Sequence, residues 1–223
     1  MKNTAKLLLI PALLACAAAA QAQSGGSFLI RGGVTTITPS VSSGDLTPPS
    51  LFGTKSAIGA STRLSGGLTY MLNDNIAIDL PLAVPFEHDI TGDGAIAGAG
   101  KIGSVKALPA TLLAQWRFMD YNSTIRPYIG AGVTYAKFYG ARSTSTLTAI
   151  SGGTPANPTT LEVESKWAAS FQLGASIQMG GGWFIDANYV YSPLSTRTTL
   201  STGQTLDAKL DPSAVSLTIG FKY

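Results

Sequence analysis

The sequence predicts an all-β fold, an eight-stranded antiparallel transmembrane β-barrel of the bacterial outer membrane, and three observations carry that reading. The first is the final segment, Ala214 to Tyr223, in which Val215, Leu217, Ile219, Phe221 and Tyr223 alternate with Ser216, Thr218 and Lys222. Successive side chains of a strand point to opposite faces, so this segment has one apolar face and one polar face. The second is that similar alternation recurs about eight times along the chain, while no helical stretch is present to cover the apolar faces. Lipid can receive so many apolar faces from a closed barrel. The third is the rhythm of the connections, which run long, short, long, short, long, short, long. All four long loops then fall at one end and all three short turns at the other, as in outer-membrane barrels.

The ends and the charge set the cellular context. Lys2 and Lys6 precede an apolar run from Leu7 to Ala20, and Ala20-Gln21-Ala22 is a small-x-small cleavage pattern. Residues 1–22 therefore read as a secretory signal peptide cut before Gln23, leaving 23–223 as the barrel. The run is too short for a spanning helix and Pro11 interrupts it. Leu13-Leu14-Ala15-Cys16 resembles a lipoprotein processing box, but Leu14 suits that site poorly and the Ala-Gln-Ala site fits better. Cys16 is the single cysteine, so its removal excludes disulfide and thiol chemistry. Without Lys2 and Lys6, 13 basic residues face 12 acidic ones, spaced singly along the chain. That is no electrostatic footprint for nucleic acid.

Strand one runs from Phe28 to Ile37, with Phe28, Ile30 and Val34 outward and Arg31 inward; residues 38–56 form a long loop with Pro39, Pro48 and Pro49. Strand two runs from about Gly59 to Leu72, and Asn73-Asp74-Asn75 makes a tight turn. In strand three, Ile76, Ile78, Leu80, Leu82, Val84 and Phe86 face outward, against Ala77, Asp79, Pro81, Ala83, Pro85 and Glu87. Prolines remove ladder donors, so local distortion is expected near Pro81 and Pro85. Residues 89–106 read as a Gly/Ala-rich loop. Strand four then sets Leu108, Ala110, Leu112, Ala114, Trp116 and Phe118 against Thr111, Leu113, Gln115 and Arg117.

Strand five, Ile125 to Tyr139, contains Gly130 and Gly132, and its inward face is open beyond Arg126; residues 140–163 read as a third loop. Strand six sets Trp167, Ala169, Phe171, Leu173, Ala175, Ile177 and Met179 against Lys166, Ser170, Gln172, Ser176 and Gln178. After Gly180-Gly181-Gly182, strand seven sets Trp183, Ile185, Ala187, Tyr189 and Tyr191 against Asp186, Asn188 and Ser192, and a last loop spans about 193–203. Aromatic residues gather at strand ends: Tyr70, Trp116, Phe118, Trp183, Phe221 and Tyr223 near the turns, Phe86, Phe138, Trp167 and Tyr191 near the loops. Two interfacial girdles would look like this.

Several segments resemble the outer-membrane protein W (OmpW/AlkL) family of Gram-negative bacteria. They are Leu68-Thr69-Tyr70-Met71-Leu72-Asn73-Asp74-Asn75-Ile76, Pro85-Phe86-Glu87-His88, Val105 to Leu112, Ala114-Gln115-Trp116, Arg126 to Gly132, and Leu210-Asp211-Pro212. The resemblance implies an eight-stranded barrel that takes small hydrophobic molecules through an apolar lumen and releases them sideways into the bilayer. It also places Pro81 and Val190 toward the lumen, where the family carries bulkier side chains, which argues against a tight gate there. With the inward positions Leu113 and Phe184 they make up the expected solute path. The implied partners are outer-membrane lipid, small apolar solutes and the barrel-assembly machinery, engaged through the C-terminal strand; the implied state is a monomer without a cofactor.

Residues with catalytic potential are few. His88, the single histidine, lies between Glu87 and Asp89, and serines are plentiful, but spacing identifies no nucleophile, so no enzyme is expected. Arg31, Arg63, Asp79, Glu87, Gln115, Arg117, Gln172, Asp186, Asn188 and Lys222 read as inward. An eight-stranded interior is filled by side chains, so these predict a hydrogen-bonded plug rather than a wide pore. One histidine and scattered carboxylates make no metal site. The Gly-rich stretch 92–103 lacks the ending of a phosphate loop. Passage of apolar solutes is the leading reading; the alternative is a barrel without transport, acting as a surface receptor or envelope stabiliser. A continuous apolar upper lumen favours the first, a charge-filled one the second.

Overall fold

The structure, a computed structural model, describes residues 23–223; the leader assigned to residues 1–22 lies outside the described residues. Its strands are β1 (Phe28–Thr38), β2 (Ser42–Ser43), β3 (Thr54–Ile58), β4 (Ser61–Met71), β5 (Ile76–Ala83), β6 (Phe86–Gly94), β7 (Lys101–Arg117) and β8 (Ile125–Ser143). One turn and a half of helix, α1 (Ser145–Ile150), precedes β9 (Leu161–Val163), β10 (Lys166–Gly180), β11 (Trp183–Tyr191), β12 (Ser195–Leu200), β13 (Thr205–Lys209) and β14 (Ser213–Lys222). Eight of these close a barrel in the order β1-β4-β5-β7-β8-β10-β11-β14 and back to β1. The closure holds to the last residue, since Phe28 N–H donates to the Tyr223 carbonyl (2.9 Å) and Tyr223 N–H to that of Phe28 (2.7 Å).

The faces follow the alternation. Val215, Leu217 and Ile219 are each more than half exposed on the outside, while Thr218 and Lys222 are buried inside. This inversion of the soluble pattern needs lipid around it. Near the turns Tyr70, Trp116, Phe118, Trp183 and Tyr223 are exposed, and the rings pack in pairs, Phe28 with Tyr70 (4.7 Å) and Trp183 with Phe221 (5.2 Å). At the loop end Trp167 is exposed and packs on Tyr135 (5.0 Å), but Phe86 and Phe138 turn inward and leave that girdle.

The inward turn of Phe86 has a structural cause. Strand three is not continuous: β5 ends at Ala83, and residues 84 and 85 interrupt it before β6. The two-residue break reverses the parity, so Phe86, His88 and Ile90 face in and Glu87 faces out. Glu87 therefore leaves the group of plugging residues read as inward, while Arg63 keeps the inward parity of β4 and lies across from Thr35 at the rim. The Arg63 and Glu87 side chains are about two-fifths exposed and sit 4.0 Å apart.

The long connections are more ordered than their composition suggests. β3, β6 and the upper halves of β7 and β8 extend the barrel wall, and β2-β13-β12-β9 form a separate four-stranded sheet. Leu46, Ile90, Ile102, Val105, Leu147, Leu161, Leu200 and Leu206 meet in one buried cluster above the barrel. Each loop contributes only a few of them, so no single loop has a visible period. Outside the membrane, Arg197 donates twice to Asp207 (2.7 and 2.8 Å), clamps β12 to β13 and holds the Asp207 carboxyl below its ordinary range.

The face assignment predicts that Leu217→Arg costs about 2–4 kcal/mol of folding stability in bilayers, because its position lies mid-strand on the lipid side. Ala156→Arg, exposed at a loop turn, should change it by less than ~0.5 kcal/mol. Urea titrations in lipid vesicles measure both; equal costs would contradict the assignment.

Candidate solute lumen

The lumen is stratified, and its lowest layer is polar. Gln23, almost fully buried, donates its backbone N–H to Tyr121 carbonyl (3.1 Å) and accepts at its own carbonyl from Arg126 Nη1 (2.9 Å). Its side-chain Oε1 accepts from Arg117 Nη1 (2.7 Å). From there one hydrogen-bonded chain crosses the barrel. Arg117 Nε donates to Gln115 Oε1 (3.2 Å), Gln115 Nε2 to Gln172 Oε1 (2.8 Å), and Gln172 Nε2 to Asp79 Oδ2 (3.3 Å). Asp79 is held by both Arg31 nitrogens (2.8 and 2.9 Å) and by the Thr69 hydroxyl (2.6 Å). Alongside it, Tyr128 donates to Asp186 (2.9 Å) and lies under the Arg117 guanidinium, 4.6 Å from its ring centre.

This plug is densely fitted. A side chain at Gly174 would bring its Cβ within 2.4 Å of the Tyr128 ring, so the strand carries a glycine where the ring lies across it. Below sits an apolar patch of Leu29, Met71, Ala77 and Phe184. The layer holds the cations Arg31, Arg117, Arg126 and Lys222 against Asp79 and Asp186. An apolar solute entering such a layer would have to strip paired charges of their partners, at a large cost in free energy.

Above the plug the wall changes character. A cavity of about 140 Å³ is lined by Ile37, Ile58, Pro81, Phe86, Val105, Ala107, Pro109, Phe138, Val190 and Leu194 among others, with hydroxyl-bearing residues at its floor. An apolar cavity of this size holds a solute about as large as benzene. A second cavity, of about 70 Å³, lies in the loop cap and shares Ile58, Val105, Phe138 and Leu210 with the first. The apolar lining is thus continuous from the cap into the barrel.

One side of the cavity meets an interrupted ladder. β5 pairs with β7 only as far as Asp79↔Leu113, and pairing resumes at Phe86↔Ala107 through β6. Residues 80–85 and 108–112 between those points make no ladder to each other. Pro81, Pro85 and Pro109 fall within them and bring no N–H to leave unpaired. Leu82, half exposed on the outer face, also borders the cavity, so the cavity abuts the wall there. The distortion expected from the prolines is a gap in the hydrogen bonding of one strand pair.

Of the four residues predicted to line a solute path, Pro81 and Val190 border the cavity. Leu113 and Phe184 are inward and fully buried, but they sit lower, Leu113 opposite Asp79 and Phe184 in the basal apolar patch. Tyr128 and Gln23 join the plug without a clear sequence signal. Strand five's mixed glycines and tyrosines hid the parity that Arg126 sets, and Gln23 is a single residue before the first alternating stretch. His88 is buried with Nδ1 2.8 Å from the Gly59 carbonyl, and among the described residues no serine or threonine hydroxyl is hydrogen-bonded to it.

The Arg31–Asp79 pair makes a test of the plug. Asp79→Ala leaves Arg31 buried without its carboxylate and should cost about 3–5 kcal/mol, whereas Arg31→Met with Asp79→Leu should recover most of it. Vesicle folding titrations of the two variants measure this, and additive losses would contradict the pairing.

Comparison with known proteins bears on this arrangement. A profile of the OmpW family matches residues 24–223. Outer membrane protein W of Vibrio cholerae is 31% identical over 208 residues, covering 91% of each chain. The crystal structure of OprG from Pseudomonas aeruginosa superposes with a TM-score of 0.81 at 28% identity, covering 91% of this chain and 98% of that one. The dibenzothiophene metabolism operon protein PahQ of Pseudomonas aeruginosa is 26% identical over 161 residues, 69% of this chain and 68% of that one. A match that spans the described barrel from its first strand to its last, on a fold with the same eight-stranded closure, means that this outer-membrane protein belongs to the OmpW family.

Proposed function

We propose that the protein is a passive uptake channel for small hydrophobic molecules, which enter through the loop cap, occupy the upper lumen and leave sideways into the bilayer. The observation that carries this reading is the coincidence of the apolar cavity with the interrupted β5–β7 ladder, directly above a hydrogen-bonded plug. An apolar solute in the cavity meets charge below and lipid beside it. Its partitioning favours the side path by roughly 25 cal/mol for each Å² of apolar surface kept out of water. Continuous apolar lining also favours passage over a receptor role for the loops. The name of the relative PahQ places that protein in an operon for metabolism of dibenzothiophene, an apolar aromatic, which suits such a cargo.

In this reading residues 1–22 direct export, the C-terminal strand engages the barrel-assembly machinery, and a monomer does the work. Pro81 and Val190 border the open space through which cargo passes, and Leu113 and Phe184 belong to the wall beneath it.

The test is uptake of a small apolar aromatic by cells lacking the protein and by cells in which it is restored at matched, folded levels. Restoration should speed uptake of the apolar solute and leave a charged solute of similar size unaffected. Val190→Trp, which fills the cavity, should return uptake to the level of the lacking cells. Pro81→Val with Pro109→Val, which supplies two ladder donors, should slow it. Full uptake through the Val190→Trp barrel would contradict the lumen path.

A further inference from the structure

The floor of the cavity is built from hydroxyl groups arranged in two chains. In the first, Thr111 Oγ1 lies 2.8 Å from Thr134 Oγ1, which lies 2.6 Å from Ser170 Oγ, which lies 2.7 Å from Ser192 Oγ. In the second, Thr35 Oγ1 lies 2.7 Å from both Ser65 Oγ and Ser216 Oγ. These residues come from β7, β8, β10, the end of β11, β14, β1 and β4, which are consecutive around the barrel. The strand without a hydroxyl is β5, where the ladder is interrupted and Pro81 and Ala83 line the cavity instead.

Counting hydrogens gives the belt a chemistry. Each hydroxyl carries one hydrogen. Four hydroxyls joined by three hydrogen bonds keep one hydrogen uncommitted, and three joined by two keep another. Among the described residues no other acceptor is hydrogen-bonded to the end groups Thr111, Ser192, Ser65 or Ser216 through their hydroxyls, and all four line the cavity. Each chain can reverse the direction of its bonds, so the spare hydrogen can be offered at either end. The cavity therefore has apolar walls over a floor with two adjustable hydroxyl donors that no protein acceptor holds, with Arg31 and Asn188 also reaching its lining.

We infer that the lumen selects small apolar molecules that carry one hydrogen-bond-accepting oxygen, a carbonyl above all, bound with the oxygen on the hydroxyl belt and the hydrocarbon body against the apolar wall. This rests on the uptake reading and adds the class of cargo to it. A pure hydrocarbon of the same shape leaves both donors unanswered. An oxygenated one satisfies at least one of them, and slides off the belt only at β5, beside the gap.

Ethylbenzene and acetophenone differ by a methylene against a carbonyl and are matched probes. Binding to the purified barrel in vesicles is measured for each, with protein-free vesicles giving the partition background. The parent should prefer acetophenone after that correction. Replacing a whole chain by apolar groups leaves no orphaned hydroxyl, so Ser65→Ala with Thr35→Val and Ser216→Ala, and separately Thr111→Val with Thr134→Val, Ser170→Ala and Ser192→Ala, are the informative variants. At least one should lower the preference by about three- to tenfold, the loss of one hydrogen bond, while ethylbenzene binding holds. Thr35→Val alone frees hydroxyls rather than removing them and should keep the preference, an outcome that a merely structural belt would not give. Equal parent binding of both probes, or a preference unchanged in both multiple variants, overturns the inference and leaves the uptake reading standing. Absence of binding for both probes overturns the two together.

Discussion

A chain that crosses a bilayer finds no water for its amides, and this constraint governs the whole molecule. Every backbone donor and acceptor has to be met within the wall, which is why the sheet closes and why its last residue pairs with its first strand. Against that rule, a stretch of unpaired backbone between β5 and β7 is the feature that needs an explanation. The chain lowers its cost covalently, because Pro81, Pro85 and Pro109 have no N–H to strand in lipid. The gap in the ladder is thus written into residue type.

The same constraint orders the interior. An eight-stranded barrel is just wide enough for its own side chains, so the lumen can be solid or hollow at a given level according to what lines it. Long polar side chains fill the turn-side half, tied from Arg31 through Asp79, Gln172, Gln115 and Arg117 to Gln23. Small and apolar residues such as Ala107, Ala136, Ala168, Pro81 and Val190 leave the loop-side half hollow. The hydroxyl chains lie at the boundary. A plug, a belt, a cavity and a side gap are successive consequences of side-chain length on one inward-facing register.

Much of this was legible in the residues. Period-two alternation identified the eight spanning strands and nearly all their faces, and Pro81 and Pro85 marked where strand three would distort. The break at residues 84–85 was not legible as a parity change, so Phe86 and Glu87 were assigned to the wrong sides. Periodicity assumes an unbroken strand, and proline reports a disturbance without its size. Tyr128 was hidden because Gly130, Gly132 and several tyrosines blur alternation in strand five. The cap has the composition of loops because its core draws one to three apolar residues from each of four separate connections, and contacts between segments carry no local signal. In the site, Pro81 and Val190 stood out through parity and size, while Leu113 and Phe184 shared the parity but lay at a depth that alternation does not encode.

The central claim is that cargo leaves through the wall and not through the turn-side mouth. The direct measurement uses the purified barrel reconstituted in vesicles, with an apolar fluorescent solute whose emission distinguishes the hydrocarbon phase from the enclosed water. Followed in time against protein-free vesicles, the account predicts that the barrel accelerates only the appearance of the membrane-phase signal, with the aqueous signal rising later at the rate set by the lipid. An aqueous signal that leads, or that the barrel accelerates independently of the membrane signal, would contradict it.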